Sequence, residues 1–189
     1  MRTLALSVAV ALLVGTAAVA GAQPVSAVKL QLKEKNGKQK LLFLSKDKTL
    51  VAPAVGGPND PRDVGAELTL CASNGNSASF AFVAGNWSAN AAGTLYKYKV
   101  KGKPAGPKVA QLKSGKTLKV VGGAVGLSVN GTLGAVGVRM TMGSLVQCTR
   151  FMSAKKDVTG QYDARNAAAP ADCSSVTLGC SSAMGAFVH

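Results

Sequence analysis

Histidine is nearly absent: the single one, His189, is the last residue. A Ser-His-Asp or Cys-His constellation needs an imidazole held by its surroundings, and a chain terminus holds side chains poorly. Acidic residues are scarce too, eight against 22 Lys and Arg. Glu34, Asp47, Asp60, Asp63, Glu67, Asp157, Asp163 and Asp172 fall mostly in turns among lysines, where aspartate is a turn former rather than half of an acid–base pair. Aromatic residues make up 5% of the chain. With Arg rare beside Lys, there is little to stack bases or to grip phosphates bidentately, so specific nucleic-acid recognition is not expected. After residue 22 no apolar run approaches the ~20 residues that a membrane-spanning helix needs. The expectation is a protein that is not an enzyme, holds no cofactor and spans no membrane.

Metal ligation is equally poorly provided. Cys173 and Cys180 are separated by six residues with no C-x2-C pair and no nearby His, a poor zinc spacing. Asn59, Asp60 and Asp63 lack the D-x-D-x-D-G calcium pattern, and Pro58 and Pro61 make the segment read as a rigid turn. Met140 and Met142 could offer soft sulfur to copper beside Cys148. They share a strand face with Val136 and Val138, however, which makes them core residues, while Cys148 faces away. The glycines of 122–137 follow no phosphate-loop spacing.

What is present begins with an export signal. Arg2, an apolar run from Leu4 to Val19 and Ala20-Gly21-Ala22 form a secretory signal with an A-x-A cleavage site, so residues 1–22 are set aside. A membrane anchor is the rival reading, but the run is short and lacks a stop-transfer flank. Residues 23–172 are expected to form one β domain, with 173–189 a tail. Without Arg2 the formal charge falls from +14 to +13. All four cysteines, Cys71, Cys148, Cys173 and Cys180, lie in the exported part, where disulfides persist; four cysteines allow three connectivities. A secreted or periplasmic location follows from these two features.

The segment Ala135–Phe151 states a strand pairing almost completely. Val136, Val138, Met140 and Met142 alternate onto one face, and Gly143-Ser144 supplies a type II′ turn. That register sets Met142 against Leu145, Met140 against Gln147 and Val136 against Phe151, with Cys148 opposite Arg139 on the other face. Gln23–Ala27 reads as a lead-in. Val28, Leu30 and Leu32 alternate with polar residues, and Asn36-Gly37 closes a type I′ hairpin pairing Leu32 with Leu41 and Leu30 with Phe43. Leu42 and Leu44 point the other way, which suits a strand covered on both faces.

Residues 52–65 have the Pro, Gly and Asp density of a loop. Residues 66–84 form a hairpin around Ser73-Asn74-Gly75-Asn76, and a three-residue loop pairing Leu70 with Phe80 and Leu68 with Phe82 keeps one apolar face. It sends Cys71 to the opposite face. Residues 85–93 read as a loop carrying Trp87, either a carbohydrate-stacking platform or, the preferred reading, the cap of a β core. Tyr96, Tyr98 and Val100 alternate with Lys97, Lys99 and Lys101; residues 108–121 make a hairpin around Ser114-Gly115; and Val125, Leu127 and Val129 lead to a turn at Asn130-Gly131. With no helix outside the signal, the fold is all-β, an antiparallel sandwich of about ten short strands.

Trp87, then Tyr96-Lys97-Tyr98-Lys99, Leu112-x-x-Gly115-Lys116-x-Leu118-Lys119, Cys148-x-x-Phe151, Lys156-Asp157 and the run Ala164 to Cys173, in that order, resemble an uncharacterised family of secreted, lysine-rich, cysteine-containing β-rich proteins from environmental bacteria. The likeness covers most of the chain after the signal, and the order of the motifs is more specific than any one of them. It implies a compact exported β-rich domain, brings no established activity, and implies a Cys148–Cys173 bridge. The chain departs from the family in its ending, CSSVTLGCSSAMGAFVH, and in Cys71, which leaves Cys71 with Cys180 as a second bridge tying the tail to the outer face.

The lysines are the one feature beyond a generic β domain. Alternate strand residues are ~6.8 Å apart, so Lys97, Lys99 and Lys101 make a row of charges suited to a polymer with repeated anions. With Lys29 and Lys33 they are the expected contacts to an anionic polysaccharide or other surface polymer. The competing readings are lysines that keep strand edges from pairing, and a structural module whose faces meet another protein. A hydrolase built on the scattered carboxylates is the least supported of the readings.

Overall fold

Short alternating segments closed by Gly- and Asn-bearing turns produce two sheets packed face to face. The computed structural model describes residues 21–102, 106–123 and 126–177. Thirteen strands are present among them: β1 (Ala22–Pro24), β2 (Ala27–Lys35), β3 (Lys38–Ser45), β4 (Ala66–Ala72), β5 (Ser77–Phe82), β6 (Trp87–Ala89), β7 (Leu95–Lys99), β8 (Pro107–Lys113), β9 (Thr117–Gly122), β10 (Val136–Met142), β11 (Leu145–Phe151), β12 (Lys156–Val158) and β13 (Gln161–Ala167). One sheet has the order β1-β11-β10-β4-β5 and the other β12-β13-β2-β3-β9-β8-β7-β6. Among the described residues helical structure is confined to a four-residue helix, α1 (Pro61–Val64), and 3-10 turns at Ala84–Asn86 and Ser175–Thr177. No helix among the described residues is long and apolar enough to cross a membrane. Of the expected signal, 1–22, residues 1–20 lie outside the described residues, while Ala22 is the first residue of β1.

The hairpin registers follow turn chemistry. In β10–β11, Met142 faces Leu145, Met140 faces Gln147, Val136 faces Phe151 and Arg139 faces Cys148, as read from the sequence. Gly143 takes a φ of +56°, which the first turn position requires, and a Cβ there would stand 2.5 Å from Asn59 Oδ1. Asn36 and Gly37, both at positive φ, close β2–β3 with Leu32 against Leu41 and Leu30 against Phe43. The facing apolar residues form one core: Leu68, Leu70, Phe80, Phe82 and Met140 from one sheet meet Leu30, Leu32, Phe43, Leu112, Val120 and Tyr96 from the other.

Several expectations are corrected. The β4–β5 hairpin pairs Leu68 with Phe80, Leu70 with Ala78 and Ala66 with Phe82. Its loop does have three residues, but they are Ser73, Asn74 and Gly75, because the left-handed position of such a loop is its last and Gly75 (φ +91°) must occupy it. The shift leaves the apolar face intact and still sends Cys71 outward, opposite Gly137. The lead-in is a strand, since β1 pairs parallel with β11, and the sheet is therefore not wholly antiparallel. Val28 is 37% exposed and Ala27 takes the inward place, opposite Ala167. Asn166, at φ +55°, breaks the alternation of β13 at the matching point. β3 is an interior strand, but Leu42 and Leu44 on its outer side are half-buried, not covered.

Two loops close the ends of the sandwich. Leu127, Val129 and Leu133 are fully buried although residues 126–135 form no strand; Val125 lies outside the described residues. Backbone donors of this segment are taken by Asp157, which accepts from Leu133 N (2.8 Å) and Gly134 N (2.7 Å), and by Thr159, which accepts from Gly131 N, so no ladder forms there.

In the 52–65 loop the fully buried Asp60 caps α1 through Arg62 N (2.9 Å), accepts from Gly56 N (2.7 Å) and pairs with the Arg62 guanidinium at 2.5 Å. Asn59 Oδ1 accepts from Ser144 N (2.7 Å), binding the loop to the β10–β11 turn. The Arg62 side chain, with the Gly56 and Arg62 amides, lowers the Asp60 carboxyl from 3.8 to about 2 against the opposing effect of burial. Asp47 is lowered as well: burial opposes the shift, but hydrogen bonds from Thr49 and Ser26 outweigh it.

A carboxyl depressed on folding contributes stability above its unfolded pKa that is lost as pH falls through the folded value. Stability measured by circular dichroism is therefore expected to decline from about pH 4 toward pH 2. Asp60→Asn, which keeps the cap but removes the charge that Arg62 and the Gly56 amide bond to, should flatten that decline and cost about 1–3 kcal/mol at neutral pH.

Candidate cationic binding face

Period-two alternation on β7, β9, β3 and β2 directs Tyr96, Tyr98, Leu118, Val120, Leu41, Phe43, Leu30 and Leu32 into the core and their neighbours outward. The pairings then align the outward residues of separate strands. One cross-strand row runs Arg165, Lys29, Leu44, Lys119, Gln111, Lys97 and Ser88. Lys99 stands one step along β7 from Lys97, and Lys33 pairs with Lys40 on the far side of the face. With strands ~4.8 Å apart, Lys29, Lys119 and Lys97 recur about every 10 Å across the sheet. Lys97, Lys99, Lys119, Lys33 and Lys40 are exposed and Lys29 is half-buried.

The face carries little opposing charge. Among the described residues its one outward carboxylate is Asp163, which accepts from Gln31 Nε2 at 2.9 Å and pairs with Arg165 at 3.3 Å. Glu34 on β2 and Asp157 on β12 belong to the same sheet but lie on its inner side, where Glu34 accepts from Gln39 and Asp157 from Leu133 N and Gly134 N. The other acids sit in α1 and the loops or on the other sheet, where Glu67 faces outward from β4.

The residues singled out from sequence fall into three places. Lys97 and Lys99 share the outer face of the eight-stranded sheet with Lys29 and Lys33, which arrive from β2, four strands away. Lys101 is exposed but follows the end of β7, so the row along that strand has two members rather than three. Lys119, Lys40 and Arg165 join the face without having been singled out. Lys119 announces itself in Leu118-Lys119-Val120, an alternation identical in kind to that around Lys97, but only the pairing sets it between the other two.

Trp87 opens β6 rather than lying in a loop. It is 7% exposed, with its ring centroid 5.8 Å from Phe82 and 5.3 Å from Tyr98. Phe82 and Tyr98 meet edge to face at 5.0 Å. The ring thus closes the core at one end, the cap geometry, and its buried Nε1 has no hydrogen-bond partner.

Cys148 and Cys173 form a disulfide with Cα atoms 5.6 Å apart. With Val146 and Val176 they make a small second cluster on the outer side of the five-stranded sheet, where Arg150 donates to Ser175 O at 2.7 Å. Gly137 permits this overlay, since a Cβ there would lie 2.2 Å from Val176 O. Cys71 is buried on the same outer side and is not a free thiol. Its expected partner Cys180 lies outside the described residues.

Because the Trp87 indole N–H is unpaired, Trp87→Phe is expected to cost under about 1 kcal/mol while Trp87→Ala costs about 3–5, read from urea midpoints. Replacing Cys148 and Cys173 together by Ser should cost about 3 kcal/mol by the same measurement, since the bridge closes a 25-residue span.

No family model, curated protein or solved structure matches this chain.

Proposed function

We propose that this chain is an exported, non-enzymatic β-sandwich that binds anionic polymers at or beyond the cell surface through the outer face of its eight-stranded sheet. The observation that carries the reading is the registered row of Lys29, Lys119 and Lys97, with Lys33, Lys40 and Lys99 beside it and one already paired carboxylate among them. Charges repeated along a rigid sheet match a polymer of repeated anions, which needs no convergent polar pocket, better than a small ligand, which does. The Cys148–Cys173 disulfide supports the exported setting.

A second reading, an assembly module contacting another protein, is favoured by β5. It is a six-residue edge strand without a charge, Ser77–Phe82, whereas the edges β1, β6 and β12 have three residues each. Long uncharged edges are templates for strand addition. A groove of about 550 Å³ lies beside it, bordered by the exposed Val64 and Val83.

Protein beginning at Gln23 is expected to bind dextran sulfate but not neutral dextran, with affinity falling steeply as salt rises. Changing Lys29, Lys97 and Lys119 to Gln should weaken binding at least tenfold and reduce the salt slope by roughly two to three. Isothermal calorimetry over a salt series measures both. Absence of binding at low salt would leave the lysines as a solubility device and make the β5 edge the leading surface.

A further inference from the structure

The lysines do not stand on a polar face. In the row next to Lys29–Lys119–Lys97, the pairings align Leu42, Val121 and Val109 side by side across β3, β9 and β8, with Lys99 at one end and Gln31 at the other. Leu44 sits beside them in the neighbouring row. All four aliphatic side chains are half-buried on the outer surface, and the elements that pack most closely against β3, β9 and β8 are their neighbours within the sheet. The face is therefore a strip of aliphatic side chains held between lines of lysine: Lys29, Lys119 and Lys97 on one side, Lys33 and Lys40 on the other.

The chemistry of such a strip is selective. A soluble acidic polysaccharide would satisfy the lysines but would set hydroxyls against Leu42, Val121 and Val109, which gain nothing from them. Nucleic acid would offer ring faces, and this surface has no aromatic residue to stack on them. A layer of acidic lipid presents both complements at once, anionic headgroups and, directly beneath, acyl chain. Lysine suits that boundary because its stem lies along apolar surface while the ammonium reaches the headgroup plane. The single carboxylate on this face, Asp163, is already held by Arg165 and Gln31 and so does not repel an anionic surface as a free charge would.

We infer that the outer face of the eight-stranded sheet docks flat on an anionic lipid layer, with Leu42, Val121 and Val109 meeting acyl chain and Lys29, Lys33, Lys97 and Lys119 meeting the acidic headgroups. The inference rests on the polyanion reading for its lysines and adds the apolar half of the ligand.

The test is co-sedimentation of protein beginning at Gln23 with phosphatidylcholine vesicles containing about 30% phosphatidylglycerol, with pure phosphatidylcholine vesicles, and with dextran sulfate measured in parallel. The wild type is expected to bind the acidic vesicles and not the neutral ones, and to stay on them at a salt concentration that releases dextran sulfate. Leu42→Thr, Val109→Thr and Val121→Thr together should weaken vesicle binding at least tenfold and leave dextran sulfate binding within about twofold, whereas the Lys→Gln triple weakens both.

Binding to dextran sulfate without binding to acidic vesicles would overturn the lipid inference and leave the polyanion reading standing. Binding to neither would remove both. Vesicle binding released by the same salt as dextran sulfate would likewise overturn it, and that measurement on the wild type decides the matter if the threonine triple does not fold. Overturning would also follow if gel filtration found a dimer that Val121→Thr dissolves, since a second copy of the chain would then cover the strip.

Discussion

The sandwich depends on the meeting of two apolar sheet faces, and that meeting depends on strand register. Because side chains alternate, a slip of one residue in β10–β11 would carry Val136, Val138, Met140 and Met142 out of the core and bring Arg139 into it. Glycine at 143 holds that register, and Asn59 on the 52–65 loop hydrogen-bonds across the turn it makes. β4 is then aligned against β10, so one turn governs the inner face of the central strands of the five-stranded sheet. The core gains on the order of 2 kcal/mol for each large side chain buried, set against a similar total of lost chain entropy, so a slip of this kind would not be tolerated.

The same register organises the outside. Once Leu30, Leu41, Val120 and Tyr98 are committed to the core, Lys29, Lys40, Lys119 and Lys97 have no choice but to face outward. The charge of the face is in this sense a by-product of core packing; its pattern is not. Aliphatic residues at Leu42, Leu44, Val109 and Val121 are not required by a solvent-facing position, where Thr would serve the strand equally well. On the opposite sheet the outer surface is used differently. There Gly137 lets residues 173–176 lie against the strands, and a disulfide holds them, so that face is partly occupied by the chain itself.

Much of this was legible in the residues. Hairpins closed by Asn36-Gly37 and Gly143-Ser144 were readable to the exact pair, because two-residue turns admit few backbone conformations and so determine register. Where a loop had three residues, composition alone allowed more than one placement; which residue must be left-handed decided it at Gly75. The lead-in at β1 was not readable, since its three residues take their strand conformation from β11, a partner more than a hundred residues away. Trp87 was readable as a core cap by size and chemistry, but its neighbours Phe82 and Tyr98 belong to strands of different sheets.

By itself the sequence determined the all-β class, the alternation that sends Lys29, Lys97, Lys99 and Lys119 outward, the two tight hairpins and the scarcity of groups for acid–base chemistry. These are local properties, set by turn sterics and by the period of the strand. Only the tertiary structure decided which lysines become neighbours, because strand order is not local: about sixty residues of chain separate β2 from β7, and it is the intervening β3, β9 and β8 that set Lys119 between Lys29 and Lys97 and lay Leu42, Val121 and Val109 alongside them.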